Sequence, residues 1–325
     1  MMRRELLILR HGKSDWGAGS DDFHRPLKDR GKRGAQRIGV WLAQQGLLPD
    51  YVVSSPAARA IVTAEKTCKV MGLGTQHIHT DKDVYEAGLQ DLLQVLAGCP
   101  GEVNRVLLVG HNPGLEQLLE YLVAGQVPDT ADGKLLPTAT LARLAMPADW
   151  QQLKSGCAVL KSISRPAELP KKFPFPRPDS HELRDRPAYY YSQSAVIPWR
   201  LHDGKPEIMV IASSKKNHRV VPKGIREPGL TSQESAAREA LEEAGVEGRV
   251  GDAPLGSYEY EKWGATCTVE VFPMEVTRVL PESEWEERHR GREWLAPEQA
   301  RKCLKQAAFR PMIDALVALL QEQRH

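Results

Sequence analysis

Two histidines close two short apolar runs. "ELLILRHGKS" sets Arg10 and His11 at the end of the first, and "RVLLVGHNPG" sets His111 at the end of the second. Between them, "SSPAARA" contributes Arg59. Parallel strands bring their carboxyl ends to one crevice, where open α/β sheets bind their ligands. Two arginines and two histidines gathered there make a phosphate-sized pocket. Guanidinium groups match phosphate oxygens in pairs, a neutral imidazole can attack phosphorus, and a second can hydrogen-bond the transferring group. A lone histidine at a strand end is ordinarily structural, and a lone arginine there is a solvated charge. Four such residues from three strand ends carry the reading.

The second group is acidic. In "TSQESAAREALEEAG", Thr231 and Glu234 form a capping box and Gly245 a stop, which predicts a helix between them. At about 100° per residue, Glu239, Glu242 and Glu243 share a narrow arc, with Ala237, Ala240, Leu241 and Ala244 turned to the core. Arg238 can pair with Glu242 at i,i+4, and hard divalent ions, magnesium or manganese, suit the other carboxylates. Upstream, "SSKKNHRVVPKG" supplies Lys215, Lys216, His218, Arg219 and Lys223, with Arg226 just beyond. Cations beside carboxylates are the layout for a metal-bound polyphosphate. A solvated acidic helix face is the plainer account of "EALEE".

These groups must be positioned by ordinary globular structure. A chain of 325 residues suits two domains. Its net charge of +2 gives no general affinity for nucleic acid or membranes, and no apolar run approaches the roughly 18 residues of a membrane span. The five scattered cysteines fit neither a disulfide framework nor a zinc site. The N-terminal "MMRRELLILRHG" is too short an apolar stretch for a signal peptide. A cytoplasmic protein is expected. "RPAELPKKFPFPRPDSHELRDRP" is rich in proline and charge and reads as a stiff connector. The expected division is therefore a domain over 1–164, a linker over 165–187 and a domain over 188–325. Before the linker, strand-like "ELLILR", "DYVVSS" and "RVLLVG" alternate with helix-like segments, which implies an α/β fold with a parallel sheet covered on both faces. After it, "SAVIPWRL" and "PEIMVIASS" read as strands.

"LRHGKSDW", "RPLKDRG", "SSPAARAIVTA" and "VGHNPGL", in that order, resemble the histidine phosphatase superfamily and its short SixA-like branch, over roughly residues 4–150. The resemblance implies a three-layer α/β/α domain with a mainly parallel sheet and no cofactor. His11 would be the nucleophile that becomes phosphohistidine, and Arg10, Arg59 and His111 would hold the phosphoryl group. Arg25 would bind substrate. Glu86 in "DVYEAGLQDLL" would be the general acid, the alternative being a surface residue.

The acidic helix resembles the Nudix box, G-x5-E-x7-R-E-U-x-E-E-x-G-U, with U aliphatic. Gly224, Arg238, Glu239, Glu242, Glu243, Gly245 and Val246 match in register, whereas Leu230 replaces the first glutamate and Ala240 the first aliphatic residue. Glu227 stands three residues before Leu230. The resemblance implies an α/β/α sandwich with a mixed sheet, and Mg2+ or Mn2+ held by Glu239 and Glu243. Glu242 would assist in metal binding and catalysis. Glu293 in "GREW" would be a further ligand or base, or else a surface charge. Tyr258, Tyr260 and Trp263 would stack a base, or else serve as ordinary strand residues. The cation loop and "WEERHRGREWLAPEQARKCLKQAAFRPMIDAL" are similar to the diphosphoinositol polyphosphate phosphohydrolase branch, over about residues 192–320. That branch implies substrates dense in phosphate, bound through Lys215, Lys216, Arg219, Lys223 and Arg226.

The expected function is a bifunctional phosphohydrolase. One half would cleave phosphoanhydrides with a metal, and the other would remove phosphoryl groups without one. The alternative is a protein phosphohistidine phosphatase regulated by a Nudix domain that binds nucleotide or polyphosphate. The expected partner is a phosphate-rich small molecule, with a phosphohistidine protein as the second candidate.

Overall fold

In the first strand, Leu6 and Ile8 pack into one apolar cluster and Leu7 and Leu9 into another, all four inaccessible to solvent. A strand buried on both faces is the middle of a three-layer stack. The computed structural model describes residues 4–128, 133–176 and 181–322. Residues 177–180 of the expected linker lie outside the described residues. The chain divides into two compact units, Met1–Phe173 and Pro174–His325.

In the first unit the elements run β1 (Arg4–Arg10), α1 (Asp29–Gln44), β2 (Tyr51–Ser54), α2 (Ala58–Val70), β3 (Ile78–Thr80), α3 (Leu89–Ala97), β4 (Arg105–Gly110), α4 (Gly114–Leu122), β5 (Leu141–Met146) and β6 (Val159–Ser164). The sheet order is β3-β2-β4-β1-β5-β6. The first four strands of that order are parallel, and β5 and β6 are antiparallel additions. Helices α1 and α2 cover one face through Ile38, Leu42, Ala60 and Ala64. Helices α3 and α4 cover the other through Leu92, Leu96, Leu115 and Leu118. Register then decides the rest. Arg10 sits opposite Gly110 and Ser54 opposite Val109, so the carboxyl ends of β1, β2 and β4 finish level.

In the proline-rich run, β7 (Phe173–Pro174) and β8 (Leu183–Arg184) are two-residue strands. Its last part is docked within the second unit. The buried Arg184 guanidinium lies 3.3 Å from the Phe175 ring centre and 4.5 Å from that of Tyr191, so cation–π contact replaces an apolar core there.

The second unit holds β9 (Ser192–His202), β10 (Lys205–Ala212), β11 (Arg219–Val220), β12 (Lys223–Ile225), α5 (Ser232–Glu239), β13 (Val246–Val250), β14 (Gly256–Lys262), β15 (Ala265–Val279), β16 (Arg292–Leu295), α6 (Pro297–Cys303) and α7 (Phe309–Glu322). Its sheet is mixed, with β15 parallel to β9 and its other pairings antiparallel. Helix α5 starts at the capping box: Thr231 Oγ1 accepts from the Glu234 amide, and Glu234 accepts from the Thr231 amide. Its continuation, Ala240–Ala244, widens into a π turn closed by left-handed Gly245. The widening corrects the expected core face. Ala236, Ala240 and Ala244 are buried, but Leu241 is exposed and Ala237 only half-buried. The wider turn carries Leu241 farther round from the alanine stripe.

Candidate active site

The level strand ends of the first unit bring the expected residues together. His11 and Arg59 are buried, and the His11 and His111 ring centres are 5.2 Å apart. The His11 amide donates to Gly110 O at 3.0 Å, which ties the end of β1 to that of β4. Nδ1 of His11 lies 2.8 Å from Gly12 O. A carbonyl can only accept, so Nδ1 carries the proton and Nε2 keeps its lone pair. That is the tautomer a nucleophile needs. Gly12 is required by close approach, since a Cβ there would lie 2.7 Å from Gly31 O. Its amide donates to the buried Thr63 Oγ1, which in turn donates to Arg59 O, joining the histidine loop to α2.

Both imidazoles are neutral at ordinary pH. Burial, with the nearby arginines, pushes His11 down to about 4, while its bond to Gly12 resists the shift. Burial, followed by His11 and Arg59, pushes His111 down to about 3. Unfolded histidine titrates near 6.5, so in the window from about 6.5 to 4 the unfolded chain binds more protons. Stability of this unit therefore falls as pH drops through that window. The expected result in a 15N NMR titration of the free protein is that His11 stays Nδ1-protonated and neutral at pH 5.5. A midpoint near 6.5 would contradict the buried, cation-facing pocket.

The arginines are fixed by a residue that the sequence reading missed. Asp22 Oδ1 accepts from Arg25 Nη2 at 2.7 Å, and Oδ2 from Arg59 Nη2 at 2.9 Å and Tyr85 OH at 3.0 Å. The Arg25 hydrogen bond, with those from Tyr85 and Arg59, holds this carboxyl down at about 2 against partial burial. Arg25 also donates to Ser14 Oγ and lies 3.7 Å from the Trp16 ring centre. Arg10 Nη1 donates to Leu136 O at 2.8 Å. His111 Nε2 is hydrogen-bonded with Ser55 Oγ at 2.8 Å, and Tyr85 meets the His111 ring edge-on. Asp22 stands three residues before Arg25, the only local signal that could have marked it. Asp22→Asn removes the charge that aims two arginines and is expected to lower phosphatase kcat/KM by about 10- to 100-fold, the loss of one charge-assisted contact or two. Steady-state kinetics on a phosphomonoester, without metal, checks it.

Arg10, Arg25 and Arg59 each keep a buried Nε, and His111 a buried Nδ1, without a hydrogen-bond partner among the described residues. Unspent guanidinium donors around one histidine are capacity for an anion. Glu86 does not join this ring. It is exposed, with a left-handed backbone (φ 53), one residue beyond Tyr85.

In the second unit, Gly224 and Glu239 approach so closely that a Cβ on Gly224 would lie 1.9 Å from Glu239 Oε1. A larger residue at this position of β12 would displace the Glu239 carboxylate. Glu243 Oε2 accepts from the Lys223 amide at 3.0 Å, and Oε1 pairs with Arg290 at 2.7 Å. Arg290, absent from the sequence reading, is buried and also pairs with Glu287 at 2.5 Å. Glu242 turns outward to Arg238, whose Nε donates to it at 2.9 Å. The three acids are therefore not one cage. Among the described residues no three His, Cys, Asp or Glu side chains gather closely enough to hold a metal ion.

Whether the remaining carboxylates suit a divalent ion is tested by their charge. Glu239 is pushed up to about 8, first by burial and then by Glu243, Glu242, Glu227 and Glu287. Lys223 and Arg238 also interact with it, yet burial and the acids prevail. A buried carboxylate crowded by other acids fits a hard cation, and magnesium commonly takes one or two carboxylates and completes its shell with water and substrate phosphate. Glu227, three residues before Leu230, acts on Glu239 in this way, so one acidic charge stays near the position that Leu230 vacates.

Lys223 links this helix to a cavity of about 300 Å3. Its Nζ donates to Tyr260 OH at 3.0 Å and Gln193 Oε1 at 3.2 Å. His218, Arg219, Lys223, Tyr258, Tyr260 and Lys305 line the cavity. Of the expected substrate cations, Lys215, Lys216 and Arg226 are exposed and outside it. Glu293 pairs with Arg219 at 2.9 Å. Trp263 sits at the β14–β15 turn, outside the cavity, with its carbonyl accepting from Tyr191 OH.

The protein is a hydrolase of two domains. The histidine phosphatase superfamily (branch 1) profile matches residues 6–94, and the NUDIX domain profile matches residues 192–316. The chain is 35% identical over 134 residues to Nudix hydrolase 17, mitochondrial, of Arabidopsis thaliana, covering 38% of this chain and 72% of that protein. It is 29% identical over 166 residues to Nudix hydrolase 12, mitochondrial, of the same plant, covering 43% and 81%. A solved structure of the protein histidine phosphatase SixA complexed with tungstate is similar at 23% identity and a TM-score of 0.43, covering 50% of this chain and 97% of that one. The chain belongs to the Nudix hydrolases, and its first unit carries the match to the histidine phosphatase superfamily (branch 1) profile. No described helix is long and apolar enough to cross a membrane.

Proposed function

We propose that the protein is a bifunctional phosphohydrolase. In the first unit, His11 Nε2 attacks phosphorus and takes the phosphoryl group from its leaving group, and water then releases phosphate from the imidazole. Arg10, Arg25, Arg59 and His111 offset the charge on the transferring oxygens. The unspent buried donors around His11 are the observation that carries this reading. Glu86 lies outside the buried ring, so substrates with good leaving groups, such as phosphoramidates, are favoured over alkyl esters.

In the second unit, Glu239 and Glu243 would hold a divalent ion, while Glu242 pairs outward with Arg238. When bound, the ion supplies a Lewis acid and an activated water for attack on a phosphoanhydride. Lys223, Arg219 and Lys305 receive the phosphate chain in the adjoining cavity. Nucleoside triphosphates, dinucleoside polyphosphates, inositol pyrophosphates and polyphosphate all share this chemistry. Anhydride cleavage exposes terminal phosphates, the groups that a phosphatase removes, so the two reactions can run in sequence.

A phosphate-release panel over phosphoramidates, phosphomonoesters and these anhydrides tests the proposal. Release from the first two is expected without metal, and release from the anhydrides only with magnesium. A metal requirement for every substrate would contradict it. One observation favours a second reading. Glu243 is already engaged by Arg290, and Leu230 replaces a carboxylate. A Nudix unit weakened in this way binds its anhydride without cleaving it and regulates a protein phosphohistidine phosphatase. The absence of any magnesium-dependent anhydride hydrolysis supports that reading.

A further inference from the structure

A second cavity of the first unit, about 270 Å3, shares none of the residues assigned to the His11 pocket. Its charged lining is Lys13, Arg30, Arg37 and Arg165, with no acidic side chain among the described lining residues. Arg30, Gly34 and Arg37 recur at helical spacing along α1 and so share a face. The glycines make the room. A Cβ on Gly31 would lie 2.3 Å from Lys13 O, and one on Gly34 3.2 Å from the Ala139 Cβ.

Four cations around one hollow repel one another unless an anion answers them. Arg33, which does not line the cavity, pairs with Asp29 at 2.9 Å, and Arg165 donates to Lys134 O at 2.9 Å. Arg37 is different. Burial, Arg33 and Arg30 all lower its pKa, and its buried Nε has no hydrogen-bond partner among the described residues. Thr140 also lines the cavity. It is inaccessible to solvent, and its Oγ1 is likewise unpartnered. A buried hydroxyl and a buried guanidinium nitrogen with spare capacity mark a built site rather than a charged surface.

We propose that this cavity is a second anion site, which takes a short phosphate chain on Lys13, Arg30, Arg37, Arg165 and Thr140. Its wall is the segment that fixes the catalytic backbone. The Ala139 amide donates to Arg10 O and His11 O at 3.1 and 3.0 Å, and the Arg10 amide donates to Thr140 O at 3.1 Å. Ala139 holds a left-handed backbone (φ 58) to do so.

The test is calorimetric titration of inorganic tripolyphosphate into the full chain, free of magnesium. The proteins are wild type, R30E/R37E, R59A and K215E/K216E. The double reversal on α1 is expected to weaken one binding event by about tenfold or more, since it removes two charge-assisted contacts. R59A and K215E/K216E should leave that event in place. Metal-free hydrolysis of p-nitrophenyl phosphate by R30E/R37E should stay within about twofold of wild type, as no catalytic contact is removed. An isotherm unchanged in R30E/R37E overturns the proposal, as does loss of all binding in R59A or K215E/K216E alone. If charge reversal unfolds the unit, R30A at an exposed position replaces it. About threefold weakening is then expected for one lost contact, and none overturns the site.

Discussion

His11→Ala is expected to abolish metal-free phosphoryl release, lowering kcat by about 10^3-fold or more, because a covalent route loses its nucleophile. The geometry leaves no substitute. His111 is the other imidazole of the pocket, its Nε2 is engaged with Ser55, and its pKa is held low by the same burial. The fold should survive. His11 is tied to β4 through its backbone amide, which alanine keeps. Removing a buried imidazole also removes a group that penalises folding at low pH, so the variant should lose less stability than wild type between pH 6.5 and about 4. Single-turnover kinetics with a labelled phosphoramidate, paired with thermal melts at pH 7 and pH 5, separates the two effects. Retained activity would move the chemistry away from the strand ends altogether.

Glu239→Gln is expected to lower magnesium-dependent phosphoanhydride hydrolysis by roughly 10^2-fold or more, the scale for losing one electrostatic element of a charged transition state. The substitution is nearly isosteric, which matters because Glu239 is packed against Gly224. It also relieves repulsion. Glu239 faces Glu243, Glu242, Glu227 and Glu287, so the amide should fold at least as stably as the acid. Loss of activity with unchanged or raised thermal stability is therefore the signature of a metal ligand. Loss of both together would mark a structural carboxyl.

The strand ends were legible in sequence because their information is local. An apolar run of fixed length puts its last residue at the sheet edge, and parallel order makes such edges coincide. Arg10, His11 and His111 followed from that rule, Arg59 comes after β2 on the first turn of α2, and the resemblance to the Nudix box pointed to Gly224 and Glu239. What escaped was set by distance in the chain. Asp22 reaches Arg59 across 37 positions and Tyr85 across 63. Arg290 reaches Glu243 from the far side of β15 in sequence. Such partners come from loops whose path no periodicity describes. Strands β5 and β6, which pair antiparallel beyond β1, also lacked the helix-alternating pattern that revealed the others. The exposure of Leu241 escaped for a different reason. A π turn breaks the angle per residue on which helical-face reasoning rests.

The central claim is that one chain carries two chemically independent phosphate sites. The most direct measurement is phosphate release from a phosphoramidate and from a dinucleoside polyphosphate, each with and without magnesium, by wild type, His11→Ala and Glu239→Gln. A clean crossing is expected: His11→Ala loses only the metal-free reaction, and Glu239→Gln loses only the magnesium-dependent one. Either variant losing both reactions, or neither losing any, would contradict it.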